Sequence, residues 1–148
     1  MLNNTVALLG GETPAVGDYE SIQTYTVGAG GQANITFTSI PSTYKHLQVR
    51  CFIFGSGLQY NITLNGDTGN NYSMHNLTGD GSSASAGNSI NTNKYKTVRT
   101  LNGTDSNGSG QITLVSGGYR STSAITTVAI NSGGTFTQYS HFALYGVK

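Results

Sequence analysis

Residues 46–54 read "HLQVRCFIF", with Leu47, Val49, Cys51 and Ile53 falling on one side and Gln48 and Arg50 on the other. Successive side chains of a strand point to opposite faces, so this period of two predicts a half-buried strand rather than a helix. The same reading extends to "QYNITLNG" (59–66), which follows a short "GSG" turn and points Tyr60, Ile62 and Leu64 the same way. Upstream, "SIQTYTV" (21–27) alternates, "GAGG" turns, and "QANITFTSI" (32–40) is expected to return as its hairpin partner.

Downstream, "YSMHNLTG" (72–79) reads as a short strand between the turn "NGDTGNN" and the loop opening at "DGSS". Asn-Gly and Thr-Gly in that turn stand where positive φ is expected. "KYKTVRTLNG" (94–103) and "GQITLVSG" (110–117) flank "TDSNGS", and "SAITTVAINS" (123–132) is expected to turn through Gly133-Gly134 into "TFTQYSHFALYGVK". Helical periodicity is nearly absent, and the Gly, Ser, Thr and Asn that dominate are poor helix formers. The pattern predicts an all-β fold: an antiparallel β-sandwich, jelly-roll-like, of about eight strands. Residues 19–148 form its single domain, and residues 1–18, which fit the pattern poorly, are an extended N-terminal arm. The expected core is Phe37, Ile53, Leu64, Ile112, Leu114, Val128, Ile130, Phe142 and Leu144.

Composition narrows the function. Only 9% of the 148 residues are charged and the net charge is +1, which argues against a nucleic-acid binder, since neutralising phosphates needs a concentrated basic face. No stretch approaches the ~20 apolar residues of a membrane span, and "MLNNTVALLGG" lacks the charged and apolar regions of a signal peptide. The single cysteine, Cys51, leaves no intrachain disulfide and reads as a core thiol.

A search for chemistry is negative. There is no G-x-S-x-G elbow, H-E-x-x-H pair, Walker loop or strand–helix G-x-G-x-x-G, so no catalytic residue and no cofactor site is assigned, and the chain is not expected to be an enzyme. His46, His75 and His141 are isolated; His46 and His141 fall on strand faces opposite the main apolar residues. The nearest approach to a metal loop is "DSNGSGQI", where Asp105, Asn107 and Ser109 alternate as calcium ligands do. Its twelfth position is Ser116, not a bidentate Glu, so the stretch reads as a hairpin loop. Asp67 and Asp80 bracket an eight-residue strand, roughly 25 Å at ~3.3 Å per residue, and are expected to shape loops at opposite ends of the domain. Nine Tyr and no Trp suit both a protein interface and a sugar-stacking surface, although Tyr25, Tyr60, Tyr95, Tyr139 and Tyr145 all fall in predicted strands.

Taken in order, "YTVGAGG", "ITFTSIPSTYKHLQVR", "LNGDTGNNYSMHNLTGDGSS", "NTNKYKTVR", "SAITTVAI" and "TFTQYSHFALYGVK" resemble a family of small virion-associated proteins of tailed bacteriophages, notably of marine and cyanobacterial phages. The resemblance covers residues 19–148, and "SIPSTYKHL", "NGDTGNNY" and "FALYG" are its most specific blocks. Between Ile90 and "NTNKYK" this chain is shorter than the family pattern. The resemblance implies a non-enzymatic β-sandwich on the outside of a virion. A lone domain with an arm, without a coiled-coil shaft or collagen-like repeat, fits a capsid decoration or cement protein of the head. Its expected partners are the major capsid protein and copies of itself, as dimer or trimer, with Leu2, Val6, Leu8 and Leu9 of the arm as contacts. The alternative is a host-recognition module of a tail fibre or tail tip, binding cell-surface glycan through loops 67–72, 79–89 and 103–109.

Overall fold

In a computed structural model, residues 19–55, 60–92, 95–96 and 112–148 are described. The expected all-β, antiparallel and sandwich-like fold is what they form, with ten strands and no helix. The strands are β1 (Tyr19–Thr26), β2 (Gln32–Phe37), β3 (His46–Phe52), β4 (Tyr60–Leu64), β5 (Tyr72–Gly79), β6 (Ala84–Thr92), β7 (Tyr95–Lys96), β8 (Ile112–Tyr119), β9 (Val128–Phe136) and β10 (His141–Val147).

They make three sheets, in the orders β1-β10-β3, β2-β9-β4-β7 and β6-β5-β8. The first two share one core. Ile35, Phe37, Leu64, Val128, Ile130 and Phe136 from the second sheet join Phe142 and Leu144 of β10 in a single buried cluster. Phe136 meets Phe142 edge to face between the two sheets, with ring centroids 4.8 Å apart, the arrangement that the ring quadrupoles favour. Each of these sheets takes an inner strand from the last part of this sequence: β10 lies between β1 and β3, and β9 between β2 and β4.

The third sheet joins this core through Tyr72 at the start of β5. Its ring is fully buried and lies 5.0 Å from that of Tyr119 on β8. Its hydroxyl accepts from the Leu64 N–H (3.0 Å) and donates to the Asp67 carbonyl (2.9 Å). A phenol buried this deeply needs such partners, because an unpaired buried hydroxyl is penalised by its lost hydration.

Several local expectations are corrected. β1 and β2 are not a hairpin: β1 pairs with β10 and β2 with β9. Gly30 and Gly31 do turn the chain, at φ 100° and 72°, but the turn carries it from one sheet to the other. Gly133 and Gly134 lie inside β9, and the reversal comes at residues 137–140, where Tyr139 takes φ 70° outside any strand. Residues 84–89, expected in a loop, belong to β6. Asn65 and Gly66 have the positive φ expected of them (51° and 66°), whereas Gly69 is absent from the positive-φ residues. Gly69 answers to space instead, since a Cβ there would stand 3.0 Å from both Asn71 Nδ2 and Asp67 Oδ1.

Of the expected core, Phe37, Ile53, Leu64, Val128, Ile130, Phe142 and Leu144 are buried. Leu114 is not: it is 68% exposed, directly opposite the exposed Leu77 on β5. Alternation put it on an apolar face, but among the described residues no other sheet covers that face. The Ile112 side chain lies outside the described residues.

Candidate functional site

The two aspartates that bracket β5 each organise their own turn. The Asp67 carboxylate accepts from the Gly69 N–H (2.7 Å), Asn71 Nδ2 (2.8 Å) and the Tyr119 hydroxyl (2.9 Å). Asn71, followed by the Gly69 amide and Tyr119, holds its carboxyl below the usual carboxylate range. Asp80 caps the β5–β6 turn, accepting from Ser83 N (2.7 Å), Ser82 N (2.8 Å) and the Ser83 hydroxyl (3.1 Å). These bonds lower its pKa, the Ser83 amide most. Both acids are already satisfied by their own loops. They sit at opposite ends of β5, too far apart to act on one atom.

His46, His75 and His141 are exposed on three different strands. Among the described residues, no three His, Cys, Asp or Glu side chains come close enough to hold a metal ion. The loop carrying Asp105, Asn107 and Ser109 lies outside the described residues. Cys51 packs against the core, and burial pushes its thiol up to about 12. A thiol so raised stays protonated near neutrality and is no nucleophile. Among the described residues, no helix is long and apolar enough to cross a membrane.

A feature that sequence reading passed over lies on the outer face of the first sheet. Pairing of β10 with β1 and β3 places Tyr145 opposite Ser21 and Gln48, and Ala143 opposite Thr24 and Arg50. The small Ala143 leaves room for Arg50 to lie across the sheet. Its guanidinium carbon stands 5.1 Å from the Tyr145 ring centroid and 5.9 Å from that of Tyr19, while Nε donates to Gln48 Oε1 (2.9 Å). Both distances are within cation–π range. No carboxylate lies in ion-pair range of Arg50 among the described residues. Phe52, 45% exposed, follows Arg50 on the same face, and His141 opposite it has Nδ1 2.8 Å from Thr26 Oγ1. Tyr19 is 52% exposed.

An oriented guanidinium among aromatic rings has lost much of its rotamer freedom before a partner arrives, so less entropy is given up on binding. Arg and aromatic residues are also the types enriched at the cores of protein interfaces. The sequence held one cue to this face, the polar side of the "HLQVRCFIF" alternation; its assembly with Tyr19 and Tyr145, both far from Arg50 in the sequence, came only with the strand order.

No family model, curated protein or solved structure matches this chain.

Proposed function

We propose that this chain is a non-enzymatic structural protein of a tailed-phage virion, a capsid decoration or cement protein on the outer surface of the head. The observation that carries the reading is the braced Tyr19–Arg50–Tyr145 face with Phe52 beside it, an interface-type surface on a chain of very low charge. Few charges leave little long-range repulsion against a neighbouring surface. The resemblance carried by "SIPSTYKHL", "NGDTGNNY" and "FALYG" supplies the virion setting, with the major capsid protein and further copies of the chain as partners.

Cementing of this kind is mass action. A protein that binds only the assembled lattice stabilises it by an amount growing with the logarithm of its free concentration over its dissociation constant. Electron microscopy of the intact particle tests the location: many copies on the shell are expected, and confinement to the tail overturns the assignment. Arg50→Ala tests the face. The variant should fold with stability within about 1 kcal/mol of the parent, the scale of an exposed cation–π contact, yet occupy particles at least tenfold less. Unchanged occupancy sinks the role of this surface.

The exposed rings of Tyr19 and Phe52 also favour a second reading, a glycan-binding host-recognition module, since a flat ring can stack on a sugar. Binding of labelled protein to host cells rather than to capsids would select it. Its expected loop site is weakened, because Asp67 in loop 67–72 is already engaged by Gly69, Asn71 and Tyr119.

A further inference from the structure

On the outer face of the first sheet, β10 presents Tyr145, Ala143 and His141, and β3 presents Gln48, Arg50 and Phe52 to the same side. Ala143 is only 3% exposed although it belongs to this outer face, so the longer side chains around it lie across it. A guanidinium is a flat fork that stacks on rings while its edge donates hydrogen bonds. In Arg50 the rings of Tyr145 and Tyr19 supply the cation–π contacts, and Gln48 Oε1 takes the Nε hydrogen. Among the described residues nothing accepts from its Nη atoms, whose donors remain for a partner.

The acceptor that matches this fork is a carboxylate, which takes paired, charge-assisted hydrogen bonds from a guanidinium. The chain's own described acids are engaged elsewhere. Glu20 lies opposite Gly146, in a row that faces the other side of the sheet, and bonds to Tyr44 and Lys148. Asp67 and Asp80 are held by their own turns. None of the three is spare for the Arg50 of a second copy. Glu12, Asp18 and Asp105, the chain's other acids, lie outside the described residues.

We propose that this face binds a protein partner through an Asp or Glu carboxylate that meets the Nη groups of Arg50, flanked by Tyr19 and Tyr145. The inference rests on the reading of this face as an interface, not on the virion setting. Charge complementarity gives its sign: among the described residues the face carries Arg50, His46 and His141 and no Asp or Glu, so an incoming carboxylate meets no like charge. Rings that shield part of the guanidinium from water strengthen the pair. Arg and Tyr are also the residues of protein-interface cores, which favours a protein over an acidic sugar as the carrier. Phe52, two residues along the same face, offers contact to an apolar side chain beside that acid.

Nuclear magnetic resonance on the full chain tests it, following the Arg50 Nε–H signal as acetyl-Leu-Thr-Glu-Thr-Leu-amide, or the same peptide with Gln for Glu, is added. The Glu peptide should shift that signal and the ring protons of Tyr19 and Tyr145 saturably, and the Gln peptide should bind about tenfold more weakly. An equal response to both peptides, or none, overturns the proposal. Arg50→Lys keeps the charge and loses the fork; it should bind the Glu peptide several-fold more weakly, and undiminished binding overturns the paired geometry. Glucuronate or inorganic phosphate binding more tightly than the Glu peptide assigns the face to an acidic sugar or a phosphate and overturns the protein carboxylate. Self-association in sedimentation that Arg50→Ala abolishes places a second copy here and overturns it equally. Particle occupancy separates this inference from the reading beneath it. If Arg50→Ala empties the particles while the two peptides bind alike, the interface stands and the carboxylate falls. If occupancy is unchanged while the Glu peptide alone binds, the carboxylate stands and the particle interface falls.

Discussion

Ser140 grips the backbone of Phe54 with a single hydroxyl, which donates to the Phe54 carbonyl at 2.8 Å and accepts from its N–H at 2.9 Å. The same residue's own carbonyl accepts from Val27 N (2.8 Å), and Thr137 N donates to the Phe54 carbonyl (2.8 Å). The β9–β10 turn is thereby pinned between the chain leaving β1 and the chain leaving β3. Ser140 is fully buried, so Ser140→Ala takes the Phe54 N–H's partner away and leaves its carbonyl with Thr137 N alone. A loss of roughly 1–3 kcal/mol is expected, read as a lower urea midpoint with an unchanged slope.

Gly146 is held to glycine by contact rather than by conformation. A Cβ there would stand 2.3–2.4 Å from the ring of Tyr44, and Tyr44 is fixed in turn by donating its hydroxyl to Glu20 Oε2 at 2.8 Å. Gly146→Ala should destabilise by about 1–3 kcal/mol through overpacking. In a double-mutant cycle with Tyr44→Ala, most of that loss should disappear; additive losses would remove the ring as the cause.

Acid should weaken the fold through its folded-state carboxylates. Asp67, Asp80 and Glu20 all have lowered pKa, the last chiefly through Lys148 and then Tyr44. Each binds its proton less readily folded than unfolded, so the unfolded chain takes up more protons as pH falls. The stability they lend is present above the ordinary carboxylate range and is lost on descending through their lowered values. Urea midpoints taken between pH 7 and pH 3 should fall less steeply for Asp67→Asn than for the parent. Parallel curves would exclude Asp67 from the effect.

The thiol of Cys51, raised to about 12 by burial, should react slowly with a disulfide reagent at pH 8 and fully once urea unfolds the chain. Rapid labelling of the native protein would show that β3 opens locally far below global unfolding.

Alternation and turn chemistry were sufficient for individual strands and insufficient for their partners. "YSMHNLTG" spans β5 residue for residue, because Asn65-Gly66 and Asp80-Gly81 punctuate it by backbone chemistry that is local. The β1–β2 hairpin failed because Gly30 and Gly31 specify a turn and say nothing of which sheet the chain enters next. Leu114 failed for a related reason: alternation ranks the two faces of a strand, but another element must arrive to cover one. The Arg50 face lay beyond sequence reading, since its tyrosines come from β1 and β10 and meet over β3 only after long-range pairing. The acids were easier, because Asp67 and Asp80 bond mainly to groups within a few residues of themselves.

The placement of β9 and β10 inside their sheets carries a consequence for synthesis. Strands β1 to β4 emerge from the ribosome long before the segments they must pair with; the second sheet cannot close until Phe136, nor the first until Val147, has cleared the exit tunnel. Pairing partners so far apart in sequence also make loop closure slow. Through that interval β5, β6 and β8, which contain no Asp, Glu, Lys or Arg, have no charge to keep their edges from one another in neighbouring nascent chains. Yield in a cell should therefore depend on chaperone supply and on translation rate more than the folded domain's own stability would indicate.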